Sequence, residues 1–134
     1  MRVFIPQAKE RSMAHALNWF EIPVTDFTRA KTFYETVLGI TVAPMAMGPT
    51  TMGMLSSDPA AVGGALVQAE GSLPSQNGTM VYLNGGDDLA PMLARVAQAG
   101  GAVVVPKTEI GNDFGFFAHF VDTEGNKVGL HSMK

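Results

Sequence analysis

The amino-acid sequence predicts an α+β fold made of two tandem βαβββ modules, an eight-stranded curved sheet system with a helix behind each half. Three observations carry this. Strand-like and helix-like hydrophobic patterns follow one another in the same order in both halves of the chain. Three punctuating pairs, Asp26 with Asp88, Gly39 with Gly101 and Pro44 with Pro106, share a single offset, as a duplication requires. A single module would also leave one sheet face bare, and its pair is the natural cover.

The elements follow in order. Leu17 to Val24 mixes β-formers with alternating polarity and leads into Thr25-Asp26, where the aspartate can cap a helix. From Phe27 to Leu38 the residues Phe27, Ala30, Phe33, Tyr34, Val37 and Leu38 line one helical face. Arg29, Lys31 and Glu35 fall outside it, and Gly39 supplies the left-handed stop. Ile40-Thr41-Val42, Thr51 to Leu55 and Ala65 to Gln68 complete the first module as strands. In the second module Met80 to Leu83 reads as a strand, Asp87-Asp88 as a cap and Leu89 to Ala99 as a helix. Pro91 is tolerable there because it lies in the first turn. Gly100-Gly101 ends the helix, and strands follow at Val103 to Val105, Phe116 to Val121 and Lys127 to His131. The organisation is thus a tail over residues 1–12 and one domain over 13–134. Within the domain, module one covers about 16–70, a linker about 71–78 and module two about 79–132.

Composition narrows the function classes. With 134 residues and 46% hydrophobic content the chain is long enough for one packed core. Nine Lys and Arg are spread thinly against a net charge of -3, so no basic stripe is available for a nucleic acid backbone. There is no cysteine, hence no disulfide framework, thiolate metal site or thiol nucleophile. Pro6, Lys9, Glu10 and Arg11 interrupt the opening apolar residues before a signal-peptide core can form, and no apolar run has the length of a membrane span. A cytoplasmic protein with neither a nucleic acid nor a membrane partner is expected.

Two motifs resemble a known family. Val24-Thr25-Asp26 followed by Ala30-Lys31-Thr32-Phe33-Tyr34-Glu35-Thr36-Val37-Leu38-Gly39 resembles the first-module signature of the vicinal oxygen chelate superfamily, which includes the glyoxalases, bleomycin-resistance proteins and extradiol dioxygenases. Phe120-Val121-Asp122-Thr123-Glu124-Gly125-Asn126-Lys127-Val128-Gly129-Leu130 resembles its closing hairpin, with Thr123 in place of the usual proline. The resemblance implies homodimerisation and a cleft in which the metalloenzymes of the family hold a metal by His and Glu on four strands. Imidazole and carboxylate on rigid strands leave coordination positions open for a chelating substrate. Carried onto this chain, those four positions fall on Trp19, within Gly63-Gly64-Ala65-Leu66-Val67, on Met80 or Val81, and on Gly129. An indole nitrogen is a donor only, and glycine has no side chain, so no metal is expected.

The leading expectation is therefore a metal-independent binder of a small apolar or aromatic molecule. Trp19, Met45, Met52, Met54, Met80, Val81, Phe120 and Gly129 are the candidate pocket lining, with the methionines, Met47 included, giving an adaptable apolar surface. Period two places Glu21 on the strand face of Trp19 and His131 on that of Gly129, which makes Glu21 and His131 a candidate acid/base pair. That pair, or a rescued divalent metal site built from Glu21, His119 and His131, would instead support a lyase or isomerase of the lactoylglutathione lyase type, or a dioxygenase. His119 by itself reads as a structural or surface residue. A dimeric scaffold with a vestigial pocket is the third reading. The glycine-rich loop Gly111-Asn112-Asp113-Phe114-Gly115 is a candidate lid.

Overall fold

The computed structural model describes residues 15–134; the tail expected over 1–12 lies outside them. In module one, strand β1 (Trp19–Pro23) leads to helix α1 (Phe27–Leu38), followed by β2 (Ala43–Met47), β3 (Thr50–Met54) and β4 (Gly63–Gln68). Module two repeats this as β5 (Tyr82–Asn84), α2 (Ala90–Gln98), β6 (Ala102–Glu109), β7 (Phe116–Val121) and β8 (Lys127–Ser132). The eight strands form two four-stranded sheets of the same topology, β1-β4-β3-β2 and β5-β8-β7-β6. In each, the first strand pairs parallel to the last and the other pairings are antiparallel.

Local chemistry explains the boundaries. Asp26 caps α1 by accepting from the Arg29 amide, and Gly39 ends it in the left-handed conformation. The strand expected at Ile40-Thr41-Val42 begins instead at Ala43, because the Val42 N–H donates to the Glu35 carboxylate and is lost to the ladder. The second-module strand is likewise displaced from Met80 to Leu83 onto Tyr82–Asn84. Val81 contributes only its carbonyl, which accepts from the Gly129 amide. At α2 the Asp88 carboxylate accepts from the Ala90 amide, and Ser132 Oγ on β8 accepts from that of Leu89. The cap is thus shared between a local side chain and the last strand.

One core serves both modules. Phe33 and Tyr34 from α1 pack with Phe120 from β7, with ring centroids 4.9 to 6.4 Å apart, and Leu66, Leu83, Leu89, Val96 and Leu130 close around them. Burying these groups is the main favourable term in the fold. The closing turn after β7 then ties the modules together. The Tyr34 hydroxyl donates to Asp122 at 2.6 Å, and Asn126 Nδ2 donates to the Pro23 carbonyl. Glu124, whose side chain is fully enclosed, accepts from the Thr25 and Asp26 amides, the Thr25 hydroxyl and the Arg29 guanidinium. Burial pushes the Glu124 carboxyl up, but its bonds from Arg29, Asp26, Thr25 and Thr123 outweigh that and hold its pKa at about 2. Glu124 therefore sits on the open N-terminal end of α1 as a second cap supplied by the other module.

Because the helices and the shared core cover only one face of each sheet, the other face of each is open. Along β1, Ile22 is buried while Trp19 and Glu21 are exposed. Along β8, Val128 and Leu130 join the core, while Lys127 and His131 alternate with them on the other side.

Candidate ligand-binding site

The open face of the first sheet is a hydrophobic wall. Trp19 stands opposite Gly63 in the β1–β4 register, and its ring lies so close that a methyl group at Gly63 would come within 3.2 Å of it. The indole N–H donates to the Glu21 carboxylate two residues along at 3.2 Å. Beside it, Met52, Met54, Ala65 and Val67 form a small apolar cluster, with Met45 directly opposite Met52. Trp19, Met45, Met52 and Met54, all expected in the pocket, share this face. Gly63 and Gly64 are sandwiched, since Phe20 lies against Gly64 on the core side as Trp19 does against Gly63 on the open side.

The second sheet repeats the arrangement. Tyr82 stands opposite Gly129, and a Cβ at Gly129 would overlap the tyrosine ring. The ring crosses β8 over the glycine and reaches β7, where its hydroxyl lies 2.8 Å from His119 Nε2. His119 and Gly129 are themselves register partners, which is why the crossing ends on the imidazole. Burial, then the positive charge of Lys127, lowers the His119 pKa and so favours the neutral ring. A cavity of about 420 Å³ opens on this face, lined by Tyr82, Ile110, Phe117 and His131. That is the size of a site for a small organic molecule. His131 Nε2 is 2.7 Å from the Phe114 carbonyl, linking the cavity wall to the glycine-rich loop. Asn112 and Asp113 in that loop both adopt positive φ, at 53° and 60°, and Phe114 is exposed.

Three expectations from the sequence change here. The position in module two that corresponds to Trp19 is Tyr82, because each faces the glycine of the last strand in its sheet; Met80 precedes the strand and Val81 packs against the core. Phe120 is fully buried in the shared core and lines no open face. Glu21 and His131 are not brought together within the chain. They sit on different sheets, the first bonded to Trp19 and the second to the Phe114 carbonyl. His119, read from the sequence as a structural or surface residue, belongs to the open face. Phe120 in the core obliges its neighbour on β7 to point the other way.

The resemblance places metal ligands on Trp19, within Gly63–Val67, on Met80 or Val81, and on Gly129; the strand register moves the third to Tyr82 and sets Gly63 opposite Trp19, so that two rings each lie on a glycine. Indole and glycine offer no side-chain lone pair, and the Tyr82 hydroxyl is engaged with His119, so these residues do not fit a metal. Among the described residues no group of three or more His, Cys, Asp or Glu side chains could hold one either. No helix among them is long and apolar enough to cross a membrane.

Comparison with known proteins bears on the same architecture. The family model of the glyoxalase/bleomycin resistance protein/dioxygenase superfamily matches residues 16–130. A search of the curated proteins finds no significant match. Among solved structures, a glyoxalase I mutant from Zea mays superimposes with a TM-score of 0.64 at 21% identity, over 86% of this chain and 45% of that one. This chain thus spans about half the length of the maize enzyme. A glyoxalase/bleomycin resistance protein from Albidiferax ferrireducens gives a TM-score of 0.61 at 18% identity, over 88% and 98% of the two chains. An antibiotic-binding protein from Streptomyces gives 0.57 at 25% identity, over 88% and 95%.

Proposed function

The chain belongs to the glyoxalase/bleomycin resistance protein/dioxygenase superfamily, and we propose that within it this protein binds a small apolar or aromatic molecule in the cytoplasm without using a metal. The observation that carries the reading is the repeated stacking of a ring on a glycine, Trp19 on Gly63 and Tyr82 on Gly129, where a metalloenzyme of this fold would need imidazole or carboxylate. The rings give each open face an aromatic surface suited to a flat apolar ligand, with thioethers beside the ring on the first sheet. The Streptomyces neighbour, described as antibiotic-binding, offers a precedent for binding as the output of this fold.

The working form in this reading is a homodimer. Trp19 and Tyr82 are 43% and 50% exposed, and each stands on an open sheet face beside other apolar side chains that a partner would cover. A second copy that laid its second sheet opposite the first sheet of this chain would enclose the ligand between the two faces.

Elemental analysis tests the metal-free part. Protein purified without chelator and incubated with zinc, nickel, manganese or ferrous iron should retain less than about a tenth of an equivalent of each. Near-stoichiometric retention of one of them would overturn it. Light scattering on the eluting protein tests the dimer, and a monomer at every concentration would remove that part of the reading.

A further inference from the structure

We propose that the Tyr82–His119 pair is the polar anchor of the cleft and that it takes the hydroxyl of a phenolic or enolic aromatic ligand. The inference rests on the aromatic-ligand reading above and names the chemical class of ligand within it.

The geometry makes the pair distinctive. Tyr82 contributes its ring to the cavity wall beside Phe117 and Ile110, so a flat ligand stacked there lies next to the phenol oxygen. That oxygen is held in place because Gly129 lets the ring lie flat across β8 and His119 fixes its far end at 2.8 Å. The His119 ring is supported in turn by Tyr82 and Phe117, with centroids 5.5 and 5.4 Å away. On the first sheet, the indole N–H of Trp19 is spent on Glu21 within the same strand.

The hydrogen-bond inventory selects the partner. A neutral imidazole and a phenol share one proton between Nε2 and the oxygen in either of two ways. When the Tyr82 hydroxyl donates to Nε2, its oxygen can accept from a ligand. When Nε2–H donates, the Tyr82 hydroxyl is free to donate to one. A ligand hydroxyl serves both arrangements, whereas a carbonyl or an ammonium group serves only one. Charge then favours an acidic hydroxyl. Lys127 shares the open face with Gly129, which stands opposite His119, so a ligand oxygen gaining negative character is attracted and a cation is repelled.

Calorimetric titration of the full chain with naphthol and with its methyl ether at neutral pH reads the anchor directly, since the two probes share the aromatic surface and differ in the hydroxyl proton. The wild type should bind naphthol roughly three- to tenfold more tightly than the ether. Tyr82→Phe, which keeps the ring on Gly129, should bind both with the affinity of the ether. Equal binding of the two probes by the wild type, or a preference that survives in Tyr82→Phe, would overturn the anchor and leave the aromatic-ligand reading standing. Failure of the wild type to bind either probe would overturn both.

Discussion

The two modules repeat a backbone and diverge in what they do with it. Each lays an aromatic ring from its first strand across a glycine of its last, Trp19 on Gly63 and Tyr82 on Gly129. In module one the polar end of the ring turns back to Glu21 on its own strand, and the rest of that face carries methionine, alanine and valine. In module two the ring carries its hydroxyl across to His119, beside a cavity. The packing motif is therefore a property of the duplicated fold, while the chemistry belongs to the partner at the ring's tip. The turns that precede the last strands diverge as well. That of module two sends Glu124 into the α1 terminus of module one, whereas Asp58 in the β3–β4 connection is exposed and its carboxylate accepts from the Ala60 amide two residues on.

The largest expected effect would break the second asymmetry. Removing the enclosed carboxylate in Glu124→Ala strands the Thr25 and Asp26 amides and takes the Arg29 guanidinium's partner, and should cost about 2 kcal/mol at neutral pH once solvent screening at the exposed Arg29 is allowed for. Asp58→Ala should stay within about 0.5 kcal/mol. Denaturant melts of both variants measure the contrast, and equal losses would show that the clamp is not special. The clamp also has a pH signature. With a folded pKa of about 2 against an ordinary value near 4.5, Glu124 binds its proton more readily in the unfolded chain. Its contribution is thus complete above pH 4.5 and fades as the pH falls toward 2. Stability measured down that range should drop less steeply in Glu124→Ala than in the wild type.

A smaller effect sharpens the comparison of the two glycines. Gly129→Ala puts a methyl group where the Tyr82 ring now lies, so the ring must swing away; because it is half exposed, the cost should be about 1 kcal/mol. The Tyr82–His119 bond should be lost with it, which the imidazole chemical shifts would report. Gly63→Ala meets Trp19 at 3.2 Å, a contact that a slight shift of the indole relieves, and should cost less. The smallest effect is that of Glu21→Gln. It should leave stability within about 0.5 kcal/mol and register mainly in the emission of Trp19, the one tryptophan in the chain.

Much of the fold was legible because its signals are local. Asp26, the apolar face of α1 and Gly39 fixed that helix to the residue, as the capping bond and the positive φ at Gly39 bear out. The start of β2 was not, because the Val42 amide is claimed by a Glu35 side chain seven residues back, a competition that no strand pattern reveals. At the site, alternation along β1 correctly put Trp19 and Glu21 together. It failed on β7, where Phe116, Phe117 and Phe120 offer aromatic residues to both faces and the pattern does not say which faces the core. Tyr82 was missed for a different reason. Its role depends on the register of β5 against β8, strands separated by most of the second module, and a shift by one residue exchanges the faces.

The ring lying on Gly129 also constrains what this protein can become. To place a carboxylate at that position, as a metal-dependent relative would need, substitution must first displace Tyr82, since even a methyl group has no room there. Replacing Tyr82 alone by a ligating side chain would leave a bare glycine opposite it and nothing gained. Because Trp19 and Gly63 offer no ligating side chain either, even the two changes together would break the aromatic wall without assembling a four-ligand site. The stacked pair thus ties the identities of the two positions together: neither residue can be exchanged without disturbing the other.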